Sequence, residues 1–261
     1  MSAGRRRVAW VTGASQGIGA ALALELARRG YAVGVTARSH ERLEALAASA
    51  PGRLLAVPGD VTDREVMLAA AARVRDELGP IDVAVLNAAH WGQMSIDRWD
   101  AALFRRHLDT NVMGIVHGIE AVLADMRRRR AGTIVGLASV AGYRGLPRSE
   151  AYGATKAAQI HLLESLRIDL TGSGVRVVTV CPGFVRTQLT SENAFPMPWL
   201  LEPEDAARRI ADGLSRGKAE IVFPLPMLVA MKAARLVPVR TWAWGFGKFA
   251  YRRSPPPAPP G

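Results

Sequence analysis

Short apolar runs alternate with longer amphipathic stretches along the chain as far as residue 223. Strand-length runs occur at Arg7 to Val11 (ending in Thr12), Ala32 to Ala37, Leu54 to Val57, Val83 to Leu86, Thr133 to Leu137, Val175 to Val180 and Glu220 to Phe223. Between them, Ala20 to Arg29, Glu41 to Ala48, Arg64 to Leu78, residues 97–130, Glu150 to Leu170 and Glu204 to Leu214 carry helical spacing. Strands that alternate with helices predict a single α/β unit. It has a parallel, doubly wound sheet of seven strands with helices on both faces, and it takes ligands at the strand C-termini. The arginine run at 127–130 suits a helix end, where cations meet the negative dipole. No repeat of solenoid period accompanies the alternation.

Glycine placement adds chemistry to this pattern. The first strand passes into Gly13-Ala14-Ser15-Gln16-Gly17-Ile18-Gly19 and then a helix. Glycines there let the backbone approach a diphosphate, and the helix start offers free N–H groups. The spacing is Gly-x-x-x-Gly-x-Gly rather than the commoner Gly-x-Gly-x-x-Gly, and its strand–turn–helix setting is that of a Rossmann-like dinucleotide site. The second strand ends at Ala37-Arg38, where an NAD site would place an acid and an NADP site a cation. Arg38 therefore points to NADP(H) over NAD(H), against the plainer reading of a solvated surface arginine. Asp60, followed by Val61, stands at the third strand end and suits either an adenine amino group or a turn.

Tyr152 and Lys156 lie four residues apart in a helical run and share one helix face. An ammonium beside a phenol favours the phenolate and lowers its pKa, which suits a proton donor and acceptor. Such pairs are common on helices, so the spacing carries little by itself.

Taken together, these motifs resemble the short-chain dehydrogenase/reductase family, from about Arg7 to Phe223. Thr12-Gly13-x-x-x-Gly17-x-Gly19 is similar to its cofactor turn. Asn111, Ser139, Tyr152 and Lys156 stand in the order and spacing of its catalytic tetrad. Pro182-Gly183, with Val185 and Thr187, is similar to the segment that covers the nicotinamide. The resemblance implies hydride transfer between NADP(H) and a carbonyl or alcohol carbon. Tyr152 is then the acid/base, Ser139 a hydrogen-bond partner of the substrate oxygen, and Lys156 the group that tunes Tyr152 and binds the ribose. Asn111 would hold a proton-relaying water. Gly13, Ser15, Gln16, Gly17, Ile18, Gly19, Arg38, Asp60, Val61, Asn87, Ala88, Pro182, Gly183, Val185 and Thr187, with Tyr152 and Lys156, are the implied cofactor contacts. A homo-oligomer, dimer or tetramer, is implied through the helices carrying Asn111 and Tyr152. One motif departs: Leu86-Asn87-Ala88-Ala89 stands where the family usually has Asn-Asn-Ala-Gly, and Ala89 must find a compatible backbone angle. A non-catalytic NADP(H) sensor is the alternative, and it has no need of a proton donor. A sugar-nucleotide epimerase on the same fold would want a longer C-terminal region.

Composition narrows the remaining choices. With 261 residues, 49% hydrophobic and 22% charged, the chain can bury a sizeable core. A single cysteine, Cys181, excludes an internal disulfide and argues for a reducing, cytoplasmic setting. Met1 to Arg7 lacks an apolar leader core, so no secretory signal is expected. The five histidines show no ligand-like pairing, and no metal is expected. The net charge of +11 is concentrated: from Ile221 onward Lys232, Arg235, Arg240, Lys248, Arg252 and Arg253 meet no acid. No nucleic-acid module accompanies that charge. Residues 1–223 thus read as the dinucleotide-binding and catalytic domain. Residues 224–253 read as a basic, aromatic-rich amphipathic extension and 254–261 as a disordered proline-rich tail. The extension suits either peripheral contact with a membrane or cover for the substrate pocket or a subunit. Gln188 to Pro203 reads as a lid, and His90, Trp91, Tyr143 and Phe184 as residues near the mouth of the site.

Overall fold

The computed structural model describes residues 5–191 and 197–251, with side chains as far as residue 246. The proline-rich 254–261 stretch and the middle of the expected lid lie outside the described residues.

Seven strands form one parallel sheet: β1 (Val8–Thr12), β2 (Ala32–Thr36), β3 (Leu54–Ala56), β4 (Ile81–Leu86), β5 (Gly132–Leu137), β6 (Val175–Pro182) and β7 (Glu220–Phe223). Their order is β3-β2-β1-β4-β5-β6-β7, so the winding reverses between β1 and β4. Strands of a parallel sheet are covered on both faces, which is why they read as continuous apolar runs. Side chains alternate between two cores. Ala9 and Val11 face one, and Val8 and Trp10 the other. The first core is closed by α1 (Gly17–Arg28), α2 (His40–Ala48) and α8 (Pro203–Ser215), through Leu22, Leu43 and Ile210 among others. The second is closed by α3 (Arg64–Leu78), α5 (Gly114–Arg129) and α6 (Glu150–Asp169), through Met67, Met126 and Leu163. Burying each such side chain is worth roughly 1.5–3 kcal/mol. Trp10 is wholly buried and keeps its indole N–H satisfied on Thr36 Oγ1 at 2.9 Å.

Residues 97–130 do not form one long helix. The chain is irregular to Asp100, whose carboxylate caps α4 (Ala101–His107) by accepting from the Ala102 and Leu103 N–H groups. A π-helical turn, Leu108–Met113, then joins α4 to α5. It adds a residue to the helical turn and turns Asn111 inward. After Pro182 come a short helix α7 (Gln188–Ser191), then α8 and β7. The apolar 225–239 stretch is likewise interrupted: α9 (Leu225–Ala234) ends before α10 (Val239–Tyr251) begins. Among the described residues no helix is long and apolar enough to cross a membrane.

Candidate active site

A cleft of about 350 Å³ opens at the C-terminal edge of the sheet, where β1 and β4 diverge. Gly13, Ser15, Gln16, Gly17, Ile18, Gly19, Arg38, Asp60, Val61, Asn87, Ala88 and Thr187 line it. The glycines are required by shape. Gly13 and Gly17 have φ of 65° and 58°, in the left-handed region. A Cβ on Gly13 would lie 2.7 Å from Ala88 Cα, and one on Gly19 would lie 2.4 Å from the Gly13 carbonyl oxygen. Gln16 makes no side-chain cap at the start of α1, in contrast to Ser39 on α2 and Asp63 on α3. The first N–H groups of α1 therefore face the cleft without a side-chain acceptor, which suits an anionic diphosphate.

At the β2 end of the cleft Arg38 is joined by Arg42, which sequence reading missed. Arg42 lies one turn into α2 and donates to Gln16 Oε1 at 2.7 Å. Two guanidinium groups here, with Ala37 in place of an acid, fit a phosphate on the adenosine ribose. Asp60 lines the cleft and also turns the chain, accepting from the N–H and hydroxyl of Thr62 at 2.9 Å each. Asn87 ties the two central strands. Its amide donates to the Thr12 and Gly13 carbonyls at 2.9 and 3.1 Å. Ala89 keeps an ordinary backbone angle, so the missing glycine is tolerated. Leu86, in place of the usual asparagine, fills the space over Gly118 of α5, where a Cβ would come within 2.3 Å of it.

Ser139, Tyr152, Lys156 and Asn111 come together where β5, α6 and the π-helical turn meet; none of the four lines the cleft, which Thr110, next to Asn111, does. Ser139 ends β5 and caps the short 3₁₀ turn Val140–Gly142, its hydroxyl accepting from the Ala141 N–H at 3.1 Å. That turn packs on the backbone of α6: a Cβ on Gly142 would come within 2.7 Å of the Lys156 carbonyl carbon. Ser139 is thereby brought near enough to the Tyr152 hydroxyl to favour its ionised form. The Lys156 ammonium lies 5.5 Å from the centre of the Tyr152 ring, and Trp91 meets the ring edge-on at 5.0 Å. Lys156 is buried and donates to the Leu137 carbonyl at 2.7 Å and to Gln159 Oε1 at 3.0 Å. The side chain of Asn111 is occupied locally. Its Oδ1 accepts from the His90 N–H at 2.6 Å, and its Nδ2 donates to the His90 carbonyl and to Thr155 Oγ1. Its main-chain carbonyl accepts from Gln159 Nε2.

Burial dominates the titration of the pair. It pushes Tyr152 up to about 12, opposed by the nearby Ser139 hydroxyl, and holds Lys156 down at about 7. The expected lowering of the phenol by the ammonium is not found: desolvation of the phenolate raises it, and Lys156 is not among the causes. Burial likewise raises Cys181 to about 11, in keeping with an inert core thiol.

Five expected cofactor residues lie outside the cleft lining: Tyr152 and Lys156, described above, and Pro182, Gly183 and Val185. Pro182 ends β6, and its carbonyl meets the Ser139 hydroxyl at 3.5 Å. Gly183 packs against Met227 of α9, and the Val185 side chain is in the first core. Tyr143 is not at the mouth. It is buried under α9 and donates to Glu220 Oε1 at 2.7 Å, while Lys232 holds the other oxygen of Glu220 at 2.8 Å. His90 and His107 pack edge to face at 4.7 Å, and burial lowers both. Trp242 of α10 donates to the Gly145 carbonyl at 2.8 Å, and Arg144 to the Val237 carbonyl at 3.0 Å. The extension therefore lies against the loop that leads into α6.

Residues 7–196 match the family described as short chain dehydrogenase. The chain is 42% identical over 235 residues to an uncharacterized oxidoreductase of Myxococcus xanthus, spanning 89% of this chain and 93% of that protein. It is similar to the crystal structure of a short-chain dehydrogenase from Streptomyces avermitilis, with a TM-score of 0.81 at 29% identity over 97% of this chain and 100% of that one. An alcohol dehydrogenase from the archaeon Thermococcus sibiricus, complexed with 5-hydroxy-NADP, gives a TM-score of 0.76 at 28% identity over 84% of this chain and 96% of that one.

Proposed function

The chain belongs to the short chain dehydrogenase family, and from that premise we propose that it interconverts a carbonyl and an alcohol with NADP(H), using Tyr152 as acid/base. The observation that carries this reading is the meeting of Ser139, Tyr152 and Lys156 at α6, in a fold whose glycine-lined cleft reaches Thr110, the neighbour of Asn111. When bound, the cofactor supplies or takes the hydride. The α1 start and Gly13, Gly17 and Gly19 hold its diphosphate, and Arg38 with Arg42 holds the 2′-phosphate that distinguishes NADP from NAD. Thr187 lines the cleft against Gly17. Tyr152 gives its proton to the substrate oxygen in reduction. A phenol near 12 is protonated at neutral pH, the state from which reduction starts. Ser139 fixes the same oxygen. Lys156, in its ammonium form, stabilises the phenolate left behind. Trp91, beside the Tyr152 ring, gives the substrate side an apolar wall that suits a hydrophobic carbonyl compound.

The test is loss of NADPH absorbance with purified protein against panels of steroid, retinoid, acyl and small aldehyde or ketone compounds. Steady, enzyme-dependent loss with at least one carbonyl compound is expected. Tight NADPH binding with no turnover on any of them would favour the sensor reading instead.

A further inference from the structure

Lys156 is held by more than its helix. Tyr152, Thr155, Lys156 and Gln159 stand at spacings of three and four on α6, so they share one face. Gln159 is almost wholly buried, which is unfavourable for a primary amide unless both of its ends are satisfied. Here both are. Its Nε2 donates to the main-chain carbonyl of Asn111, on the π-helical turn, and its Oε1 accepts from Lys156 Nζ at 3.0 Å. The reverse orientation would set oxygen against carbonyl oxygen and NH₂ against ammonium, so the network allows one orientation only.

We infer that Gln159 is a positioning residue for Lys156. Its amide bridges the Asn111 carbonyl to the ammonium and, together with the Leu137 carbonyl, fixes both the place of Nζ and its charge. The inference rests on the proposed role of Lys156 as the partner of Tyr152. Two of the three Nζ protons meet neutral oxygen acceptors, both of which favour the ammonium over the amine. Burial opposes them and brings Lys156 to about 7. With the balance so close to neutral pH, one acceptor decides the charge: a hydrogen bond to an ion is worth about one to two pH units. The titratable groups that face Lys156 are the Tyr152 phenol on its own helix and the Cys181 thiol on β6. Burial raises both, and Cys181 favours the ammonium electrostatically, so the amide acceptor acts alongside it.

The sequence makes this readable without turnover. The chain has four lysines, Lys156, Lys218, Lys232 and Lys248, of which Lys218 and Lys232 are exposed. Full-length protein labelled with ¹³C at lysine Cε gives few enough signals to follow Lys156 through a pH titration by NMR, assigned with Lys156→Met. In Gln159→Met, which keeps the length but not the acceptor, the Lys156 midpoint is expected to fall by about one unit. In Gln159→Glu, which keeps an oxygen toward Nζ in either protonation state, it is expected at or above the wild-type value. The pH profile of carbonyl reduction should move in the same directions. Gln159→Leu serves if Gln159→Met does not fold, as judged by thermal unfolding. A Lys156 midpoint unmoved in a folded Met or Leu variant, or lowered equally in all variants, would overturn the inference. Because the titration needs no substrate, a chain that reduces nothing would sink the oxidoreductase reading and leave this result standing.

Discussion

A half-buried phenol near 12 and a buried ammonium near 7 share one side of α6. Their order on the titration scale is the reverse of what the sequence spacing suggests, because desolvation acts on both and cannot be read from spacing. Of the four tetrad positions, Ser139 follows a strand end that the apolar runs mark, Tyr152 and Lys156 fall inside a helix that the spacing marks, and Asn111 sits in a π-helical turn that the spacing hides. Gln159 and Arg42 were not legible. A buried glutamine on a helix looks like any polar helix residue until the π-helical turn brings a carbonyl to it. Arg42 became a candidate only when α2 carried it back over Gln16. At this scale the cofactor preference is testable. Arg38→Ala and Arg42→Ala should each weaken NADPH binding about ten-fold or more, the worth of one charge-assisted contact, and leave NADH binding nearly unchanged. Fluorescence titration of the two cofactors checks this. Equal losses for NADPH and NADH would place the arginines elsewhere on the ligand.

Among the elements, β4 and α5 fit through a single exchange of bulk. Leu86 occupies the place over Gly118, so the departure of the fourth-strand motif from its family is matched by a glycine on the facing helix. Gly118→Ala would press a methyl group into Leu86. Overpacking costs roughly 1–3 kcal/mol, of which alanine's helix preference returns about 1 kcal/mol. A net loss of about 1 kcal/mol is expected, seen as a thermal midpoint lower by about 2–4 °C. The same change in a Leu86→Ala background should be neutral or stabilising, and calorimetry of the four proteins reads the coupling. The strands were the most legible elements because both sheet faces are buried. The 97–130 region misled because a π-helical turn adds one residue to a helical pattern without breaking its apolar spacing.

For the molecule as a whole, the sheet and its two cores bring one ligand-bearing edge together, and the C-terminal extension leans on the loop beside it. Trp242 and Arg144 make that contact, and Tyr143, Glu220 and Lys232 anchor α9 beneath it. The sequence showed the extension's charge and aromatic content, and its division into α9 and α10 falls just before Val239, at Pro238. Trp242→Ala should raise KM for the carbonyl substrate several-fold while NADPH affinity stays at its wild-type value. A parallel loss of NADPH affinity would mean that the extension supports the whole cleft. Exposed Leu225, Val229, Leu236 and Val239 lie along the same segment, so vesicle partitioning of the same variant also reads any peripheral lipid contact.

Proton transfer by Tyr152 is the claim on which the account turns, and Tyr152→Phe tests it with the ring and its packing on Trp91 kept. Steady-state NADPH oxidation with an accepted carbonyl substrate, alongside NADPH binding by fluorescence, separates chemistry from cofactor capture. The account predicts turnover reduced by a thousand-fold or more, on the order expected when an acid catalyst is removed, with NADPH affinity within about two-fold of wild type. Turnover at the wild-type rate in that variant would contradict it.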